Sequence, residues 1–322
     1  MSQNKDSVTP IVFPPFLKPG DKVGVVAPAS VVKYDDLKDG IAILRDDWKL
    51  EVVEGTTLKS SYNQFSATDE DRLQDLQRML DNPEIKAIIA ARGGYGCSRI
   101  VDQIDFSKFI KYPKWIVGFS DLTAIHAATY HLGFASLHAP MVKSMAQSGA
   151  AEAADSLRDA LFGTLPSYHI LSHPTNRPGN ASGDLIGGNL CIFAHLIGSG
   201  SDTDTSGKIL FIEDVNEYLY NLDRMMIQLK RAGKLDHLAG LVVGQFSDMR
   251  DNVTPSFGKD ANEIIAEHTL EYNYPVCYDF PVGHVADNRT MIVGASAHLD
   301  VMESGVKLRF QNPSTNLVQA SV

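Results

Sequence analysis

Short apolar runs alternate with segments of helical spacing along this chain, and that alternation limits the fold more than any other feature. Residues 23–27 form a compact apolar run introduced by the turn Lys18-Pro19-Gly20-Asp21. Residues 37–50 carry helical spacing, and Glu51-Val52-Val53 has the composition of a second strand. Thr68 followed by Asp69, Glu70 and Asp71 has the chemistry of a helix start, with a hydroxyl to cap the first amides and acids in the first turn. Leu73, Leu76, Gln77 and Leu80 continue that helix at i, i+3, i+4 and i+7. Residues 85–91 give the next strand, 98–104 a helix, and Trp115-Ile116-Val117 a further strand. Strands separated by helices predict an α/β fold built on a parallel sheet with right-handed crossovers.

At 322 residues the chain exceeds the size at which single cores divide, so two domains are expected. The rhythm breaks between about Gly149 and Asn180, where an alanine-rich stretch gives way to Leu165-Pro166, His173-Pro174 and Arg177-Pro178-Gly179. The expected organisation is an N-terminal domain over 1–150, a connection over 151–180 and a C-terminal domain over 181–322. In the last of these, Gly187-Gly188-Asn189-Leu190 opens an apolar helix, and 208–212, 238–243 and 276–280 read as strands. Leu222, Met225, Met226 and Leu229 form an apolar helical stripe whose methionines suit a core.

A formal net charge of −10 and the lack of any basic run argue against a nucleic-acid partner. No run approaches the ~18 apolar residues of a membrane span, and the opening Met1-Ser2-Gln3-Asn4-Lys5-Asp6 lacks the apolar core of a signal peptide. Three scattered cysteines, Cys97, Cys191 and Cys277, suggest reduced thiols and a cytoplasmic setting. No His/Cys/Asp grouping has zinc-ligand spacing, so neither a metal nor a cofactor is expected.

In open α/β sheets, ligands collect beyond the carboxyl ends of the strands. Ser120 follows the Trp115 strand at a strand-to-helix corner, the layout of a nucleophile elbow, although Leu122 stands where G-x-S-x-G has its second glycine. Serine is equally suited to cap a helix there. Arg92-Gly93-Gly94-Tyr95-Gly96 follows another strand and lacks the spacing of a nucleotide loop, but its glycines could turn a backbone N–H toward an oxyanion. Glu213-Asp214 and Gly283-His284 end two more strands. A serine, an acid and a histidine at three strand ends are the parts of a hydrolase triad. Spacing leaves open Asp214 or Glu217 in place of Glu213, and His126 or His131 in place of His284.

Together these motifs resemble the LD-carboxypeptidase family of serine peptidases, which includes muramoyl-tetrapeptide carboxypeptidases and the microcin C self-immunity peptidases. The resemblance runs from about Pro19 to His298. It is carried by Pro19-Gly20-Asp21, Val25-Val26-Ala27-Pro28-Ala29-Ser30, Ala91-Arg92-Gly93-Gly94-Tyr95-Gly96 and Gly118-Phe119-Ser120-Asp121. It continues through Gly187-Gly188-Asn189-Leu190, Ile212-Glu213-Asp214-Val215-Asn216-Glu217 and Phe280-Pro281-Val282-Gly283-His284. It implies a flavodoxin-like parallel-sheet N-terminal domain and a smaller, β-rich α/β C-terminal domain with the active site between them. It also implies Ser120 as nucleophile, His284 as base, Glu213 as its orienting acid, and an oxyanion hole from the amides of Asp121 and Gly94. Arg92, Gly93 and Tyr95 would line the substrate, and Arg92, Arg224 and Arg289 are the cations available to a substrate carboxylate. The implied activity is release of the C-terminal D-alanine from murein tetrapeptides in peptidoglycan recycling, by a cytoplasmic homodimer. Cleavage of aminoacyl or peptidyl nucleotides is the alternative within the family, and non-catalytic small-molecule binding the alternative outside it.

Overall fold

The computed structural model describes residues 11–311. The polar opening Met1–Asp6, and the ends of the expected 1–150 and 181–322 spans, lie outside the described residues.

Two sheets carry the structure. The first is built from β1 (Lys22–Val26), β2 (Glu51–Glu54), β3 (Ile85–Ala90), β4 (Trp115–Gly118) and β5 (Ser136–His138). These five pair in parallel in the order 2-1-3-4-5, the flavodoxin-like order. After β6 (Ser167–Ile170), β7 (Gly179–Asn189), β8 (Ile209–Val215), β9 (Gly240–Ser247) and β10 (Val276–Cys277) form a second parallel set. The chain then returns to the first sheet as β11 (Met291–Val293), antiparallel to β5, before β12 (Ser296–Met302) and β13 (Gly305–Phe310) finish the second. The order of that second sheet is 10-9-8-7-12-13-6.

The parallel strands are apolar because helices and the facing sheet cover them. Val23, Val25, Ala87, Ile89, Trp115 and Val117 are buried on one face, with Ile209, Phe211 and Val242 in the same cluster. Ile88, Ile116, Leu122 and Ile125 fill the opposite side of the first sheet. Leu222, Met225, Met226 and Leu229 pack under the second, as core residues. Thr68 caps the helix Asp69–Asp81 by accepting from the Asp71 amide at 3.1 Å. None of the described helices is long and apolar enough to cross a membrane.

Three segments differ from expectation. Residues 37–50 split into a helix Lys38–Ala42 and a wide turn Ile43–Asp47, closed by the Trp48 N–H on the Ile43 carbonyl at 2.9 Å. The wide turn delivers the Trp48 ring into the core. The expected helix over 98–104 is two 3-10 turns, Cys97–Arg99 and Val101–Gln103, because the Cys97 amide is drawn to the Asp121 carboxylate and Gly96 enters at φ +147°. The strand expected over 276–280 is only Val276–Cys277; Asp279 at φ +56° breaks the ladder, and the chain then keeps backbone bonds to β9 from the Phe280 amide and the Val282 carbonyl before it turns toward β11.

Candidate active site

Ser120 occupies the sharp corner between β4 and the helix Thr123–His131, with φ +63°. A non-glycine residue in this region stores about 1–3 kcal/mol of strain and persists only where its surroundings over-determine it. Two of those surroundings are visible in β4 itself. The Gly118 carbonyl accepts from His126 Nε2 at 2.8 Å, while His126 Nδ1 accepts from the Ser136 hydroxyl at 2.8 Å. Gly118 itself sits at φ +156°, where a side chain would strike Leu122.

The other two residues come from beyond the first sheet. Glu213 lies near the end of β8, fully buried, opposite an irregularity in the β8–β9 ladder. Such bulges re-aim side chains beside active sites. Gly283 stands at φ +125° with no room for a Cβ, which would fall 2.9 Å from Glu213 Oε2. The next residue, His284, is the hinge of the site. Its Nδ1–H donates to Glu213 Oε2 at 2.7 Å, and its Nε2 accepts from Ser120 Oγ at 3.0 Å. Burial alone would depress the His284 imidazole, but the Glu213 charge and hydrogen bond, with Asp214 behind them, outweigh it and raise it above its ordinary value. The Phe119 ring meets the imidazole edge-on at 4.9 Å and shields that side from water.

The competing residues have other partners. His126 is fully engaged at Gly118 and Ser136, and burial takes it down to about 4. His131 bonds the Ala127 and Asp202 carbonyls. Asp214 accepts from Asn189 Nδ2 and the amides of Cys191 and Val215; burial, then the charge of Glu213, push it up to about 7. Glu217 accepts from Asn221.

The glycine turn also converges here. A Cβ on Gly93 would lie 2.9 Å from Ser120 Cβ and 3.2 Å from its Oγ, so the Gly93 backbone packs directly on the serine. Gly94 follows at φ +107°, leaning on the Ser30 hydroxyl, which also accepts from the Tyr95 amide at 3.1 Å. Among the described residues the Gly93 and Gly94 amides donate to no protein group. Asp121, next to Ser120, is buried and takes the Cys97 amide at 2.7 Å, tying the glycine turn to the elbow. The Tyr95 ring is exposed, 5.8 Å from Phe65. Of the three arginines, Arg289 is held by Asp287 through two nitrogens. Arg224 leans on Asn221 and the Tyr220 ring. Arg92 donates one nitrogen to the Val31 carbonyl and makes no ion pair among the described residues.

Family models match the two halves of the chain in turn. The LD-carboxypeptidase N-terminal domain matches residues 23–139, and the LD-carboxypeptidase C-terminal domain matches 182–299. The chain belongs to the LD-carboxypeptidase family. A probable murein peptide carboxypeptidase of Bacillus subtilis (strain 168) is 33% identical, over 90% of this chain and 92% of that protein. The crystal structure of a muramoyltetrapeptide carboxypeptidase from Oxalobacter formigenes matches this chain with a TM-score of 0.81 at 30% identity, covering 90% of this chain and 99% of that one. The microcin C7 self-immunity protein MccF, in complex with aspartyl sulfamoyl adenosine, shares the fold with a TM-score of 0.81 at 20% identity, over 94% of this chain and 98% of that one. The protein is thus a carboxypeptidase with a two-part α/β fold.

Two residues beside the site carry no signal in the motifs above. Ser247 donates to the His284 carbonyl at 3.2 Å, and Asn288 accepts from the Gly283 amide at 2.9 Å, so both fix the histidine turn. Nothing local marks Ser247. Asn288 lies four residues after His284, within reach of a search for amide side chains near the triad candidates. Asn189, by contrast, stood inside the quoted Gly187-Gly188-Asn189-Leu190 motif with the chemistry of a helix cap.

Proposed function

We propose that the protein is a serine LD-carboxypeptidase that removes the terminal D-alanine from murein tetrapeptides, with Ser120 as nucleophile, His284 as general base and Glu213 as orienting acid. One observation carries this reading: a single imidazole spans Ser120 Oγ at 3.0 Å and a buried carboxylate at 2.7 Å. The bond to Glu213 fixes the proton on Nδ1 and leaves Nε2 as acceptor, the tautomer a general base needs. The muramoyltetrapeptide carboxypeptidase likeness supports the substrate class.

Ser120 attacks the carbonyl before the terminal D-residue as His284 takes its proton. The amides of Asp121 and Gly94 receive the developing oxyanion; support comes from the unengaged Gly94 N–H and from the helix start at Ser120, where amides lack intrahelical acceptors. His284 then protonates the departing amine, and water hydrolyses the acyl-enzyme by the same route. Arg92, adjacent to the glycine packed on Ser120 and free of carboxylate partners among the described residues, binds the substrate's terminal carboxylate, with Gly93 and Tyr95 lining the entry. An N-terminal unit over 1–150 contributes the nucleophile, 151–180 connects, and 181–322 contributes Glu213 and His284. The enzyme works in the cytoplasm, in peptidoglycan recycling and as a homodimer, as the family resemblance implies.

The test is incubation of purified protein with a murein tetrapeptide, followed by mass spectrometry, with Ser120→Ala and aspartyl sulfamoyl adenosine in parallel. Loss of one D-alanine by wild type and none by Ser120→Ala is expected. Turnover of the nucleotide conjugate alone refutes the substrate, and an active Ser120→Ala refutes the nucleophile.

A further inference from the structure

A buried chain of hydrogen bonds runs from the nucleophile's corner to the strand that carries Glu213. The Thr123 hydroxyl donates to the Ser120 carbonyl at 2.7 Å and accepts from the Asn189 amide at 3.0 Å. Asn189 Nδ2 donates to Asp214 Oδ1 at 2.8 Å, while Asp214 Oδ2 takes the Cys191 amide at 2.9 Å. Thr123, Asn189 and Asp214 are all buried. Thr123 belongs to the helix after β4, Asn189 ends β7, and Asp214 adjoins Glu213 on β8.

We propose that Thr123 and Asn189 are positioning residues for the hydrolytic reaction, a strap that holds the strained Ser120 corner in register with Glu213. The proposal rests on the assignment of Ser120 as nucleophile. A threonine that only caps its own helix would stop at the bond to Ser120. Here the same hydroxyl is also an acceptor, and its donor arrives from the other sheet. The approach has been made possible at Gly188, where a Cβ would fall 2.5 Å from the Thr123 hydroxyl oxygen. Asn189 serves three partners at once, since its Oδ1 also accepts from the Ile192 amide at 3.2 Å. Its position is therefore fixed from both sides, and so is the corner it grips. Ser120 at φ +63° relaxes if released, and a shift of about 1 Å at the nucleophile costs roughly 100-fold in rate.

The experiment measures kcat and KM on a murein tetrapeptide for Thr123→Val, Thr123→Ser and Asn189→Ser, with Ser120→Ala as control and thermal unfolding of each. Thr123→Val keeps the shape and removes the hydroxyl; Asn189→Ser keeps a helix cap and removes the bridge to Asp214. We expect kcat to fall by about 10- to 100-fold in both, KM to stay within about threefold, and Thr123→Ser to recover wild-type kcat within about threefold. Wild-type kcat in both Thr123→Val and Asn189→Ser, beside an inactive Ser120→Ala, overturns the strap and leaves the nucleophile standing. A loss that Thr123→Ser fails to rescue, or one confined to KM, also overturns it. If Thr123→Val does not fold, Asn189→Ser and Thr123→Ser decide alone. Turnover by Ser120→Ala, or none by wild type, removes the assignment beneath the proposal.

Discussion

Replacing Glu213 by glutamine tests the electrostatics of the site with minimal change in shape. Oε2 of Glu213 holds His284 Nδ1 at 2.7 Å, in a fully buried position. In the proposed mechanism His284 takes the serine's proton, and its new positive charge then faces this carboxylate across roughly 4 Å between charge centres, an attraction of about 4 kcal/mol at an effective dielectric of ~20. Glutamine retains a neutral hydrogen bond worth about 1 kcal/mol, so about 3 kcal/mol of transition-state stabilisation is lost, or roughly 150-fold in kcat. An amide turned with its NH2 toward Nδ1 would select the wrong tautomer and deepen the loss. The pH profile adds an independent readout. A base must be neutral, so kcat/KM falls as pH drops through the His284 pKa, which lies above the ordinary imidazole value in the wild type. Without the Glu213 charge, burial acts with less opposition, and the acid limb moves to lower pH. Steady-state rates across pH on a murein tetrapeptide give both quantities. A loss below tenfold with an unmoved acid limb would refute the assigned role of Glu213.

Gly93→Ala places a methyl 2.9 Å from Ser120 Cβ and 3.2 Å from its Oγ, so the elbow must shift; kcat/KM is expected to fall by about 100-fold and Tm to drop, and wild-type kcat/KM would refute the close packing of the glycine turn on the serine. Arg92→Ala is expected to raise KM by about 10- to 100-fold, the value of one charge-assisted hydrogen bond, with kcat nearly unchanged. A kcat effect in place of a KM effect would reassign the carboxylate to another group.

What could be read from the sequence follows from burial. Strands β1, β3, β4, β8 and β9 are covered on both faces and stand out as apolar runs. β7, with Gly179-Asn180-Ala181-Ser182-Gly183 at its start, has no such signature, because two of its residues are glycines pressed against neighbouring backbone: a side chain on Gly183 would strike Gly207, and one on Gly187 would strike Phe211. β11 is three residues long and pairs with a strand more than 150 positions away, so no local pattern announces it. Ser120, Glu213 and His284 stand out as candidates because each lies at or just beyond the end of an apolar strand that periodicity exposes. The choice among nearby acids and histidines was not legible from spacing, which says nothing of whether His126 will be spent on the Gly118 carbonyl or Asp214 on Asn189. Pairing across the sheets is what brings Ser120, His284 and Glu213 within hydrogen-bond distance.

Because β11 rejoins the first sheet, the order in which the chain is synthesised also governs when it can react. Ser120 and the glycine turn are made early, Glu213 later, and His284 last, on the stretch between β10 in one sheet and β11 in the other. A growing chain that has completed the first five strands therefore carries Ser120 without the His284 imidazole beside it and an unpaired β5 edge waiting for its neighbour. The strand that closes the edge follows the histidine by only seven residues, so covering β5 and bringing His284 to Ser120 depend on the same short stretch of chain.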